Sequence, residues 1–174
     1  MKKLKPKDRV VMDKYDVHKT VTSALLSRYE TAKWAAKQAH EAATNEESVA
    51  ENKYDTFGLE ASYLAHGQSQ RVLECEKDWL LFDKKQPVMC NEEEGVDLWS
   101  LVTLVDLESS CVCEKYFFIS PCAGGLSVEI SKKIVYLVTP SSPVGKVLLG
   151  KMVDDEVELR QSGKQMAYEI TTIE

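Results

Sequence analysis

From Val17 onward the apolar positions fall at Val17, Val21, Leu25, Tyr29, Ala32, Ala36, Ala39 and Ala43, seven steps in 26 residues. A step of about 3.7 residues marks one face of a helix and excludes a strand. A second stripe runs through Phe57, Ala61, Leu64, Gln68, Val72, Cys75, Trp79 and Phe82, with Gln68 as its one polar interruption. Both stripes are narrow and about four heptads long. Two narrow stripes joined by a short polar turn specify an antiparallel helical hairpin, a coiled coil formed within one chain. A helix from Val17 to Thr44 spans on the order of 40 Å, and a partner from Val49 to Asp83 is somewhat longer. Small residues (Ala32, Ala35, Ala36, Ala39, Ala42, Ala43) crowd the distal half of the first helix and allow close approach there. Gly58 and Gly67 each cost the second helix up to about 1 kcal/mol relative to Ala, and point either to close packing or to local flexibility.

After Pro87 the period changes from helical to alternating. A polar stretch, NEEEGVD (91–97), precedes six strand-like runs at 98–105, 111–120, 126–130, 133–139, 156–160 and 165–173. Turn chemistry separates them: ESS, PCAGG, SKK and QSGK. One short helix interrupts in SSPVGKVLLG, with Ser142 suited to the N-cap, Pro143 to the first helical position and Gly150 to the position after the end. The expected class is α+β: an N-terminal antiparallel hairpin, then a small antiparallel sheet domain with one short helix. The expected division is a basic arm at 1–15, the hairpin at 16–86 with its tip near 45–53, a linker at 87–97, and the sheet domain at 98–174.

Composition narrows the function classes. Apolar residues make up 44% of the 174, no run approaches the roughly 18 needed to span a membrane, and no signal-peptide pattern follows the basic start. A cytoplasmic protein is expected. Five cysteines, at 75, 90, 111, 113 and 122, do not pair evenly and read as reduced thiols. The net charge of −6 is unevenly spread: residues 1–40 carry +6, 41–60 carry −5 and 61–174 carry −7. An acidic total argues against a dedicated nucleic-acid binder, so no independent DNA binding is expected. The arm from Lys2 to Arg9 reads as a solvated tail, or as added attraction to an acidic surface.

The closing segment TPSSPVGKVLLGKMVDDEVELRQSGKQMAYEITTIE resembles that of bacterial Gre-type transcript-cleavage factors, which read S-P-x-x-x-x-L-x-G-K-x-V-x-D-E-V and then a strand ending Y-E-I. The matching positions are Ser142, Pro143, Leu148 or Leu149, Gly150, Lys151, Val153, Asp155, Glu156, Val157, Tyr168, Glu169 and Ile170. SLVTLVDLESS resembles the family's first strand and turn, and AENKYDT its hairpin loop, usually D-L-S-E-N-A-E-Y. The resemblance implies a hairpin followed by a domain of the fold shared with FK506-binding proteins. It implies RNA polymerase as partner, with the sheet domain docked by the secondary channel. The hairpin tip would then help hold a Mg²⁺ at the polymerase active site and promote cleavage of backtracked RNA. The protein would be no enzyme of its own, with no cofactor beyond that shared metal.

The tip TNEESVAENKYDT holds Glu46, Glu47, Glu51 and Asp55. Hydrolysis with two metals needs oxygen ligands for Mg²⁺ and a positioned water, which carboxylates on a slender stalk can deliver. By the resemblance Glu51 falls on the family's loop acid, whereas the first acid of that pattern falls on Ser48, with Glu47 one residue earlier. Glu51 and Glu47 are thus the candidate tip carboxylates and candidate ligands of the shared metal. Ser48-Val49-Ala50-Glu51 also forms an S-x-x-E capping box, so Glu51 has two open roles: helix cap or metal-facing acid. For Glu46 and Glu47 the plain alternative is a solvated turn.

Ser142-Pro143 matches the family's polymerase-facing S-P, and Ser141 stands where Asp, Asn or Thr usually precedes it. Ser141, Ser142 and Pro143 are therefore the candidate polymerase contacts, in addition to starting a helix. Cys111, Cys113 and Cys122 lack a fourth ligand at zinc spacing, and His18, His40 and His66 all lie on the hairpin. No G-x-S-x-G or G-x-C-x-G elbow is present. Tyr116, Phe117, Phe118 and Tyr136 read as sheet core plus one edge, and nothing specifies a prolyl-isomerase site. Two functions stand: a polymerase-binding Gre-like factor that stimulates cleavage or otherwise modulates transcription, and a coiled-coil interaction module for a different partner. A monomer is expected, since the hairpin satisfies both stripes.

Overall fold

A computed structural model of the chain describes residues 12–45, 56–87, 95–107, 113–161 and 163–174. Helix α1 spans Lys14–Thr44. Asp13 opens it: its carboxylate accepts from the Tyr15 N–H at 2.8 Å, and its carbonyl accepts from Val17 N–H at 3.1 Å. Both bonds satisfy donors that a helix start leaves orphaned. Helix α2 spans Phe57–Lys84 and ends where Lys85 turns extended, two residues before Pro87. It begins later than the periodicity suggests. Thr56 is non-helical, with φ −103° and ψ 0°, and its carbonyl accepts the first helical bond, from Glu60 N–H at 2.9 Å. The described α2 has 28 residues and α1 has 31, and the expected start of the second helix at Val49 lies outside the described residues. The capping box at Ser48–Glu51 lies outside the described residues.

The two helices run antiparallel. Tyr29 stacks on Trp79 with centroids 5.6 Å apart and donates from its hydroxyl to Glu76 Oε1 at 3.0 Å. Farther along, Ala32 and Ala35 share a cleft with Gln68 and Arg71. The α1 stripe is the inward face as expected, from buried Val17, Val21 and Leu25 through half-buried Tyr29 to Ala32 and Ala39. The α2 stripe slips by one position near its start. Leu64 is 57% exposed and Ala65 turns inward instead. The inward positions Ala61, Ala65, Gln68, Val72, Cys75, Trp79 and Phe82 alternate steps of four and three, the heptad spacing that keeps one face toward a partner helix.

Two compact units result. One is Val21–Gln86; the other joins the start of α1, through Thr20, to the chain from Pro87 onward. The second holds the sheet, built from β1 (Leu101–Asp106), β2 (Glu114–Ile119), β3 (Ser127–Ile130), β4 (Lys133–Val138), β5 (Glu156–Gln161) and β6 (Lys164–Ile173), with α3 (Pro143–Leu148) between β4 and β5. The strand order is β3-β4-β2-β1-β6-β5. Four of its five pairs are antiparallel, and β2 with β4 is parallel, a departure from the expected all-antiparallel sheet. After β2 the chain skips one place, returns as the edge strand β3, and then fills the gap as β4, so β4 must run in the direction of β2. Strand β1 starts at Leu101 and not Leu98. Trp99 there is left-handed (φ 73°) and donates its N–H to Ile119 O at 2.7 Å, a turn and not a ladder.

The main core lies on one sheet face: Val102, Leu104, Phe117, Ile119, Val138, Val157, Leu159, Tyr168, Ile170 and Ile173, with Leu148 of α3 and Val96. Val96 comes from the expected linker, fastened by Val96 N–H to Lys151 O and Gly150 N–H to Val96 O, each 2.8 Å. The opposite face carries buried Leu101, Tyr116, Phe118, Val135 and Leu137. The first turns of α1 join this face through an aromatic chain. His18 lies 6.2 Å from Trp99, and Trp99 lies 6.2 Å from Phe118 in an edge-on contact. Two tyrosine hydroxyls take lysine partners. Lys133 pairs with Glu114 at 3.1 Å and bonds Tyr116, while Lys115 donates to Tyr168 at 2.6 Å.

Helix α3 bears out its expected punctuation. Ser142 Oγ accepts from Gly145 N–H at 3.0 Å, Pro143 opens the first turn, and Gly150, just past the C-cap Leu149, has φ +74°. Gly145 inside this helix has its own reason. A Cβ there would sit 2.0 Å from the Thr139 carbonyl oxygen, whereas a Cβ at Gly67 would meet nothing within 4 Å. Of the two readings of Gly67, close packing is excluded.

The same substitution should therefore act with opposite signs. In urea unfolding, Gly67→Ala is expected to stabilise the chain by about 0.5–1 kcal/mol, and Gly145→Ala to destabilise it by about 1–3 kcal/mol. His18 supplies a pH test. Burial, then the neighbouring charge of Lys14, lowers its pKa from the ordinary 6.5. The fold favours the neutral ring, so this contribution is complete above about pH 6.5 and is lost as pH falls toward the lowered folded value. Thermal melts at pH 7.5 and 5.5 should show the acid loss in the native chain and a smaller loss in His18→Gln.

Candidate functional site

The expected contact residues Ser141, Ser142 and Pro143 form one turn between β4 and α3. Thr139 O organises it, accepting from Ser142 N–H at 2.9 Å and from Ser142 Oγ at 2.7 Å. The Ser142 hydroxyl is thus donor to Thr139 and acceptor from Gly145, and Ser142 O accepts from Lys146 N–H at 3.0 Å. Ser142 is fully used in holding the turn. Ser141 and Pro143 are exposed, and the hydroxyls of Ser141 and Thr139 lie 3.1 Å apart. Of the three residues, Ser141 and Pro143 offer surface to a partner, and Ser142 shapes it.

Beside the turn lies an open cleft of about 540 Å³. Its floor is Phe117 and Val138, its walls Tyr136 and Val144, and its rim Thr139, Ser142 and the Gly124-Gly125 turn. Phe117 and Tyr136 are tilted with centroids 5.9 Å apart. Phe117 is buried as expected for core, while Tyr136 stays 43% exposed and Ile134 on the same face 48%. Helix α3 packs against β5, and the cleft opens on the β4 side of this face. Gly124 keeps the cleft open at one end, since a Cβ there would lie 2.9 Å from Thr139 Cγ2. The lining is largely apolar, with the Thr139 and Ser142 hydroxyls already engaged, which suits an apolar side chain of a partner.

Sequence reasoning placed the turn but missed the cleft, with Tyr136, Val144, Gly124 and Gly145. A signal was present: Gly145 two residues after a helix-opening Pro is costly unless backbone must come close. The other expected site, Glu47 and Glu51 with Glu46, Ser48 and Asp55, lies outside the described residues. Cys111 does too, while Cys113 is exposed and Cys122 half-buried as free thiols. Among the described residues no group of three or more His, Cys, Asp or Glu could hold a metal, and no helix is long and apolar enough to cross a membrane.

No curated protein matches the chain. Solved structures do. GreA factor homolog 1 (Gfh1) of Thermus thermophilus is 19% identical, covering 88% of this chain and 94% of its own at a TM-score of 0.37. Gfh1 of Thermus aquaticus is 18% identical, with 89% and 94% covered and a TM-score of 0.38. The elongation factor GreA/GreB from Nitrosomonas europaea is 21% identical, with 57% and 78% covered and a TM-score of 0.36. The family described as transcription elongation factor, GreA/GreB, C-term, matches residues 92–174. That match takes in the whole sheet, the Ser141–Pro143 turn and α3, so residues 92–174 are similar to the C-terminal domain of the GreA/GreB transcription elongation factors.

Proposed function

We propose that the protein is a cytoplasmic, monomeric factor that binds RNA polymerase beside its secondary channel and stimulates cleavage of backtracked RNA. What carries the reading is the exposed Ser141–Pro143 turn set against the half-open Phe117–Tyr136 cleft, within the domain that matches the family. Such a surface pairs an apolar anchor site with a rigid rim, the arrangement that concentrates binding energy in a few residues. The hairpin then acts as the stalk. Its inward face is built mostly from alanine over the distal half of α1, which keeps it narrow, and α1 alone extends about 46 Å.

At the tip, Glu51 and Glu47 are the proposed carboxylates, and their hard oxygen donors suit a Mg²⁺ shared with the polymerase. The metal, when bound, supplies charge stabilisation and a more acidic water. The protein contributes no reaction centre of its own. Its part is to carry ligands to one, so the activity belongs to the polymerase and is stimulated in trans.

Backtracked elongation complexes give the test. RNA shortening should accelerate on adding the protein, and Glu51→Gln should slow it by at least about tenfold, with a smaller effect from Glu47→Gln. Glutamine serves a capping box as well as glutamate does, so unchanged stability alongside lost cleavage separates metal work from capping. Tyr136→Ala should weaken polymerase binding about tenfold while leaving the sheet folded. Binding without cleavage would leave modulation of transcription as the function, and no binding at all would move the protein to the class of coiled-coil modules for another partner.

A further inference from the structure

The hairpin holds two guanidinium groups where its own pattern calls for an ion pair. Arg28 on α1 and Arg71 on α2 flank the inward face, one from each helix, and both line one cleft of about 220 Å³. In antiparallel helix pairs such flanking positions usually set opposite charges against each other. Here the two arginines share one cleft, with Ala35 also in its lining. Among the described residues neither arginine has a carboxylate within 4.0 Å. Two like charges at one cleft add to the field there, and Glu74 and Asp78 border only the adjoining cleft.

The lining fits that anion. Ser27 and Gln68 add neutral donors, and the Thr31 hydroxyl is turned away, donating to Ser27 O at 2.8 Å. The floor is Ala32, Ala35 and Cys75, short side chains that leave depth. Among the described residues no acid lines this cleft. Glu74 and Asp78 line the adjoining cleft, which Arg28 and Arg71 also border, and they repel an anion extending that way. From Arg28 to Ala35 the helix rises about 10 Å, longer than one phosphoryl group requires. Each guanidinium is a planar fork that grips phosphate oxygens in pairs, and it stays charged at any working pH.

We propose that this cleft binds a polyphosphate: the di- or triphosphate part of a nucleotide, gripped at two points by Arg28 and Arg71. The site is complete within Val21–Gln86 and does not rest on the polymerase reading.

Calorimetric titration of the full chain with inorganic triphosphate tests it. Saturable one-site binding is expected, weakened about tenfold by Arg28→Gln and by Arg71→Gln and abolished in the double variant. Arg71→Lys should fall between, because a point charge cannot reproduce the fork. Lys37→Gln, at an exposed lysine paired with Glu41 elsewhere on α1, should change nothing. A nucleoside triphosphate should bind at least as tightly as the inorganic ion. Circular dichroism checks that the exposed substitutions leave helix content intact. Absence of binding, equal binding by the double variant, equal loss in Lys37→Gln, or single-stranded RNA binding this cleft in preference to triphosphate would each overturn the proposal.

Discussion

A single carbonyl oxygen, that of Thr139, holds the functional face together. It ends β4, accepts two bonds from Ser142, and lies so close to α3 that only a glycine fits at position 145. Turn, helix and sheet are thereby fixed against one another at one point. The consequence reaches the cleft, because Val144 can form its wall only while α3 sits this close to the strand end. A partner docking here would meet a rigid concave surface, and rigidity is the property the turn's bonds supply.

The hairpin solves a different problem with a different economy of side chains. A hairpin with so many small inward residues cannot draw its stability from large apolar groups along its whole length. Its aromatic contact, Tyr29 on Trp79 with the hydroxyl fastened to Glu76, lies well back from the distal alanines. Toward the far end the inward positions of both helices are mostly small: Ala32, Ala36 and Ala39 on α1, Ala61 and Ala65 on α2. Close approach replaces bulk, and dispersion between backbones replaces burial of large side chains. The exposed Gly67 belongs to the same stretch and lacks the packing that would justify it.

Much of this was legible in the sequence because period and punctuation are local. All six strands and three helices were placed, and α3 was read down to its capping Ser142 and terminal Gly150. What failed was non-local. Which strand lies beside β2 depends on the path of the chain between them, and no period encodes the parallel pairing with β4. The choice of Leu64 over Ala65 failed because hydrophobicity favoured leucine while Ala65 holds the inward position. In β6 a bulge opposite Thr103 and Leu104 turns Ile173 to the core after Tyr168 and Ile170, where strict alternation would have turned Thr172. The turn at 141–143 was found from its residue types, but its cleft was not, since Phe117, Tyr136 and Val144 come from three separate elements.

The sheet also has two outer strands, and each ends it in its own way. A free strand edge is a template on which a foreign strand can pair. Strand β3 is four residues long and points Ser127 and Glu129 to solvent, too short a rail to extend. Strand β5 is longer but exposes Glu156, Glu158 and Arg160. A like sequence laid parallel and in register against it would bring carboxylate against carboxylate. The domain thus carries its own guard against runaway stacking, which leaves its apolar cleft free to be sticky without making the protein so.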